Sequence, residues 1–194
     1  MLLNNALQHS HELMARALKP GDRALDATAG NGKDTLHLAR LIGSTGQVVA
    51  VDIQKQALDN TQNLLKKENL INQVQLIEGN HAQMDKLTTG PFQVAVFNLG
   101  YLPGGDHEII TEPESTLRAL KKVMPMIRPG GLITLVAYHG HPGGKNELTA
   151  LEKFLPSLDQ KKVAVLQYSF INQAGDPPVL FALEVLEGAD CPDR

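Results

Sequence analysis

Short apolar runs alternate with stretches of helical periodicity from residue 23 to residue 155, and this alternation constrains the fold more than any other feature. Strands are expected over residues 23–28 (RALDAT), 47–51 (QVVAV, ending at Asp52), 74–77, 92–97 (FQVAVF) and 131–138. Helices are expected over 33–42, 55–69, 114–127 and 146–155, with a short one at most over 82–87. A further helix over 5–18 opens the chain and stops at Pro20-Gly21. Two last strands, 163–170 and 179–186, are joined by the turn-rich segment NQAGDPP. Strand–helix repeated in this way gives an α/β fold: a doubly wound, Rossmann-like, mostly parallel sheet with helices on both faces. The closing pair adds an antiparallel C-terminal hairpin at one edge. One domain is expected over 1–186, with a flexible tail at 187–194.

Composition narrows the function. The chain has 194 residues, with 42 % hydrophobic and 20 % charged residues, which is ordinary globular make-up. Aromatics are 4 % and Trp is absent, so a platform that stacks many bases is not expected. The net charge of -3 excludes a uniformly basic nucleic-acid coat, although charge can be local. The single Cys191 can make neither an internal disulfide nor a multi-thiolate metal site. The first residues show no signal peptide and no membrane span, so a cytoplasmic location is expected.

In doubly wound sheets, ligands bind beyond the carboxyl ends of the strands, near the switch in strand order. Five consecutive strand ends here carry candidate groups. After the first strand come Gly30, Asn31, Gly32 and Lys33, where glycine lets a ligand approach the backbone and the next helix offers free N–H groups. After the second stands Asp52, twenty residues beyond Gly32, where a carboxylate can accept both hydroxyls of a ribose; Gln54 is near enough to join it. After the third come Asn80 and His81, which can reach an adenine edge or can simply cap a helix. After the fourth, residues 98–107 (NLGYLPGGDH) pack glycine among Asn98, Tyr101, Asp106 and His107. After the fifth, residues 138–144 (YHGHPGG) repeat that pattern around Tyr138 and His139. The pattern places a cofactor at strands one to three and chemistry at strands four and five.

DATAGNGKDT, Asp52 and NLGYLPGGDH together resemble the class I S-adenosylmethionine-dependent methyltransferases. More narrowly, they are similar to the small bacterial family long labelled rRNA methylases. Members of that family are associated with MnmM-type tRNA methyltransferases, which act on the 5-aminomethyl group of wobble (2-thio)uridine. The first motif and Asp52 are specific to the superfamily only, whereas NLGYLPGGDH and YHGHPGG are specific to the small family. The resemblance implies a seven-stranded sheet with its last strand antiparallel, and S-adenosylmethionine as cofactor. It implies that Gly30, Asn31, Gly32 and Lys33 surround the methionine moiety, that Asp52 and Gln54 hold the ribose, that Asn80 and His81 lie near adenine, and that Asn98 lies near the transferred methyl. Enzymes that methylate planar amino groups often carry Asn-Pro-Pro-Tyr at this place. Residues 98–101 are Asn-Leu-Gly-Tyr instead, which suits a flexible aliphatic amine better than a base amine.

Such an amine is mostly protonated at neutral pH and must lose a proton before it can attack. Asp106 and His139 are the first candidates to take it, then His107, with Tyr101 and Tyr138 as walls against the base. tRNA, through its anticodon region, is the expected partner. Local charge must hold it: Arg118, Lys121, Lys122, Arg128 and Lys145, or the pairs Lys66-Lys67 and Lys161-Lys162. The RNA is met by the catalytic face alone or through a homodimer. Other readings remain: an rRNA or small-molecule amine methyltransferase, a non-enzymatic RNA-binding relative, or a nicotinamide-dependent oxidoreductase. The last prefers GxGxxG or GxGxxA, whereas Thr35 stands at the third position.

Overall fold

The computed structural model describes residues 2–100, 102, 104 and 110–187. Seven strands form one sheet: β1 (Arg23–Asp26), β2 (Gln47–Asp52), β3 (Val74–Glu78), β4 (Phe92–Leu99), β5 (Ile127–Ala137), β6 (Val163–Tyr168) and β7 (Val179–Val185). Their order is β3-β2-β1-β4-β5-β7-β6. The pairs from β3 through β5 are parallel, and β7 runs antiparallel to both β5 and β6. The expected hairpin is therefore present, with its second strand inserted between β5 and the edge strand β6.

Period-2 alternation sorts the side chains onto two faces. Ala24, Val48, Val94 and Val96 pack with Met14, Leu38 and Ile42 from α1 (Ala6–Ala17) and α2 (Lys33–Ile42). Leu25, Val49, Ala95 and Phe97 pack with Leu120, Val123 and Leu151 from α5 (Pro113–Val123) and α6 (Gly144–Phe154). The remaining helices are α3 (Lys55–Lys67), beside β2 and β3, and the single turn α4 (Met84–Leu87). Helix starts follow local chemistry. Asn5 caps α1 through the Gln8 N–H in a capping box, and Pro113 opens α5, where its missing N–H costs nothing.

One element differs from expectation. The helix expected over 114–127 ends at Val123, a 3-10 turn covers Met124–Met126, and β5 already begins at Ile127. Pro125 cannot donate the next helical hydrogen bond, so the chain tightens and leaves the helix. Ile127 is buried as expected, but it is a strand residue paired with Phe92. β5 continues through Pro129-Gly130-Gly131 with a register shift against β4 between Phe92 and Val94. The tail expected at 187–194 lies, apart from Glu187, outside the described residues. Among the described residues no helix is long and apolar enough to cross a membrane.

Candidate active site

The strand order reverses between β1 and β4, and a cleft of about 620 Å³ opens beyond their carboxyl ends. Its lining includes Gly30, Asn31, Lys33, Asp52, Gln54, Asn80, His81, Asn98, Tyr138 and His139, the sequence candidates among the described residues apart from Gly32, which packs behind the loop on Thr61. Tyr101, Asp106 and His107 lie outside the described residues.

The first loop is built from below. Asp26, fully buried at the end of β1, accepts hydrogen bonds from the Thr35 hydroxyl (2.6 Å) and the Thr28 N–H (3.1 Å). Burial, with the nearby Asp34 charge, pushes its carboxyl up to about 7. Asp26 therefore ties loop to helix and does not line the cleft. Thr28 in turn accepts the Asn98 N–H through Oγ1 at 2.7 Å, which joins the ends of β1 and β4. Gly32 has φ +79°, the left-handed region, and packs directly on Thr61 of α3. The residue at the N-cap of α2 is Gly32, which has no side chain to cap the helix.

Asp52 ends β2. Its Oδ2 accepts the Gly30 N–H at 2.8 Å and its Oδ1 accepts the Gln54 N–H at 2.9 Å. The carboxylate keeps lone-pair capacity for a ribose hydroxyl. Burial raises its carboxyl above the usual range, partly offset by these backbone donors. Asn80 Oδ1 accepts the Ala82 N–H at 2.8 Å, so Asn80 caps the 3-10 turn His81–Gln83 as well as lining the cleft. His81 is held neutral, burial taking it down to about 4, and it lies edge-on to Phe97.

These features fit S-adenosylmethionine. A left-handed glycine turn leaves no Cβ beside the backbone, the Asp52 carboxylate lines the cleft at the end of β2 where it could accept ribose hydroxyls, and a neutral imidazole adds to the wall. Asp34, on the first turn of α2, is 6 % exposed and lines the same cleft. A dinucleotide would place its pyrophosphate at that helix start, against a buried carboxylate. A ligand carrying a sulfonium and an ammonium meets no such repulsion.

Comparison with known proteins agrees. Residues 48–184 match the model of the family described as "Putative rRNA methylase". The chain belongs to this family. It is 37 % identical over 188 residues to the chloroplastic tRNA (mnm(5)s(2)U34)-methyltransferase of Arabidopsis thaliana, covering 91 % of this chain and 68 % of that one. The crystal structure of a family protein from Clostridium thermocellum superimposes with a TM-score of 0.93 at 45 % identity, covering 95 % of this chain and 99 % of that one. A Streptococcus mutans methyltransferase crystallised with S-adenosylhomocysteine gives a TM-score of 0.87 at 37 % identity, with the same coverage of 95 % and 99 %. The chain also matches a Shewanella frigidimarina quinone-biosynthesis C-methyltransferase, of which it spans 47 %. The protein is an S-adenosylmethionine-dependent methyltransferase of the Rossmann-like class.

The candidates that follow β4 and β5 line the other part of the cleft. Asn98 donates through Nδ2 to Asp34 Oδ2. His139 Nε2 lies 2.9 Å from the Pro177 carbonyl, to which it must donate, so in the neutral ring Nδ1 carries the lone pair. Tyr138 is raised in pKa by burial and by the Asp34 charge. The Thr111 N–H donates to the Gly100 carbonyl at 2.9 Å. Thr111 and Thr116 both donate to buried Glu147, at 2.7 and 2.6 Å, and so tie Thr111 and the start of α5 to α6.

The sequence reading missed Asp34 and His11. Within DATAGNGKDT, Asp34 reads as part of a helix start, and His11 reads as an ordinary helix position. The proposed RNA clamp also needs correction. Arg128 stands at the amino end of β5, opposite the cleft, and pairs with Asp22 at 2.6 Å. Lys122 pairs with Asp85 at 2.6 Å. Lys145 stays near the cleft, 3.8 Å from Asp176.

Proposed function

We propose that this methyltransferase transfers a methyl group to the 5-aminomethyl nitrogen of wobble (2-thio)uridine in tRNA, met through the anticodon region. The observation that carries the reading is the buried carboxylate of Asp34 at the transfer end of the cleft, which suits a cationic aliphatic amine. The activity named for the Arabidopsis relative supports it. S-adenosylmethionine supplies an activated methyl carbon, so the chain's own work is orientation and proton removal. Gly30, Asn31, Gly32 and Lys33 hold the methionine moiety, Asp52 and Gln54 the ribose, and Asn80 and His81 the adenine. Asn98 orients the acceptor, and Tyr138 gives it a wall. His139, held by its Nε2 on the Pro177 carbonyl with Nδ1 3.9 Å from Asp176, lines the same space. Asp106, His107 and Tyr101 belong to the loop that follows Asn98 and complete the acceptor side.

The family description names rRNA, which makes rRNA the competing substrate. Purified protein with S-adenosylmethionine and tRNA bearing 5-aminomethyl-2-thiouridine should yield the 5-methylaminomethyl nucleoside by mass spectrometry. Methylated rRNA with that tRNA untouched would overturn the reading.

A further inference from the structure

Of the three aspartates around the first loop, only Asp34 has both carboxylate oxygens held by side chains alone among the described hydrogen bonds. Asp26 binds a hydroxyl and a backbone N–H, and Asp52 binds two backbone N–H groups. Asp34 Oδ1 meets His11 Nε2 at 2.5 Å, and Oδ2 accepts from Asn98 Nδ2. His11 comes from α1, outside the sheet, and its ring stacks on His37 at 4.2 Å between centroids. Burial and the neighbouring His11 lower the pKa of His37, which keeps that ring neutral, and His11 is the ring that meets Asp34. Asp34 thus has solvent-linked support behind it, since His11 is 29 % exposed, and the cleft in front. A helix cap needs none of this. The first turn of α2 already favours an anion, and the carboxylate reaches across to α1 and β4 instead.

We propose that Asp34 is the catalytic carboxylate that receives the substrate's ammonium group and takes one proton from it, with His11 as its positioning residue. This rests on the amine reading given above. The ammonium gives one N–H proton to Asp34, and nitrogen keeps the electron pair. That pair forms the nitrogen–carbon bond to the methyl as the carbon–sulfur bond breaks and its electrons stay on sulfur. The product is a secondary ammonium, and the proton on Asp34 leaves to solvent past His11. Titratable groups facing Asp34 are His11 of α1, His37 of α2, Asp26 of β1 and Tyr138 after β5.

Binding of two anticodon stem-loop RNAs, measured by calorimetry with S-adenosylhomocysteine present, tests this without turnover. One carries 5-aminomethyl-2-thiouridine and the other 2-thiouridine. The parent should prefer the amine by about tenfold, a charge-assisted contact. Asp34→Asn should bind both alike and keep its affinity for S-adenosylhomocysteine. Its single-turnover rate should fall about 100-fold, and the defect should shrink as pH rises and more amine arrives neutral. His11→Gln, at a half-exposed site, should lose part of the preference with the fold intact, and it carries the test should Asp34→Asn not fold. A preserved preference in the tested variant overturns the proposal. So does a tenfold loss of S-adenosylhomocysteine affinity in Asp34→Asn, which would give Asp34 to the cofactor's own ammonium. A parent without any preference overturns the amine reading itself, and this proposal with it.

Discussion

Thr61 on α3 stands so close to Gly32 that a Cβ at residue 32 would come within 2.8 Å of its Oγ1 and 2.9 Å of its Cα. The same hydroxyl donates to the Gly30 carbonyl at 3.0 Å, so one threonine sets both glycines of the loop. Gly32→Ala must pay for a left-handed backbone and for a backbone clash, together roughly 2–4 kcal/mol. Gly130, with φ +74° and nothing within 4 Å, is the control: Gly130→Ala should cost only about 1 kcal/mol. Urea unfolding of the two variants reads the difference, and equal losses would refute the contact as the cause.

Asp52→Ala removes the acceptor at the ribose position and leaves the Gly30 and Gln54 N–H groups without it. Affinity for S-adenosylmethionine should fall by about 2 kcal/mol, roughly 30-fold. Calorimetry with the folded variant measures it, and an unchanged dissociation constant would sink the ribose assignment.

His81 has a folded-state pKa near 4, below its ordinary 6.5, because burial penalises the cation. The unfolded chain therefore binds this proton first, and stability is lost as pH falls from about 6.5 to about 4. The loss assignable to His81 is on the order of 3 kcal/mol across that window. His81→Asn should show a shallower decline between pH 7 and pH 4 than the parent in denaturant titrations. Parallel curves would mean that the ring is not buried neutral.

Glu147, 2 % exposed, is the shared acceptor of Thr111 and Thr116. Glu147→Ala strands two hydroxyls and opens a cavity, which should cost about 2–4 kcal/mol. Glu147→Gln keeps one acceptor oxygen and should cost about 1 kcal/mol. Chemical unfolding orders the two, and the reverse order would argue against the clamp.

Much of this was legible along the chain. The continuous apolar runs within residues 47–52 and 92–97 read as strands because each is buried on both faces. Asp52 could be placed at the cleft because the apolar run that precedes it ends there, at a strand end. The helix over 114–127 was read too long because apolar spacing continues past Pro125, and Ile127 is equally buried in either element. Arg128 looked available for RNA because its partner, Asp22, lies 106 residues away.

The sequence by itself determined the strand–helix order, the glycine turn and the residues at the strand ends, since those depend on periodicity and on conformations only glycine tolerates. Tertiary structure decided which charges are spent inside the fold and which face the cleft. Contacts such as His11 with Asp34, Asn98 with Asp34 and Thr111 with Glu147 join residues 23, 64 and 36 positions apart. No local pattern encodes them, because they arise only when parallel strands and their covering helices bring distant chain ends to one edge of the sheet.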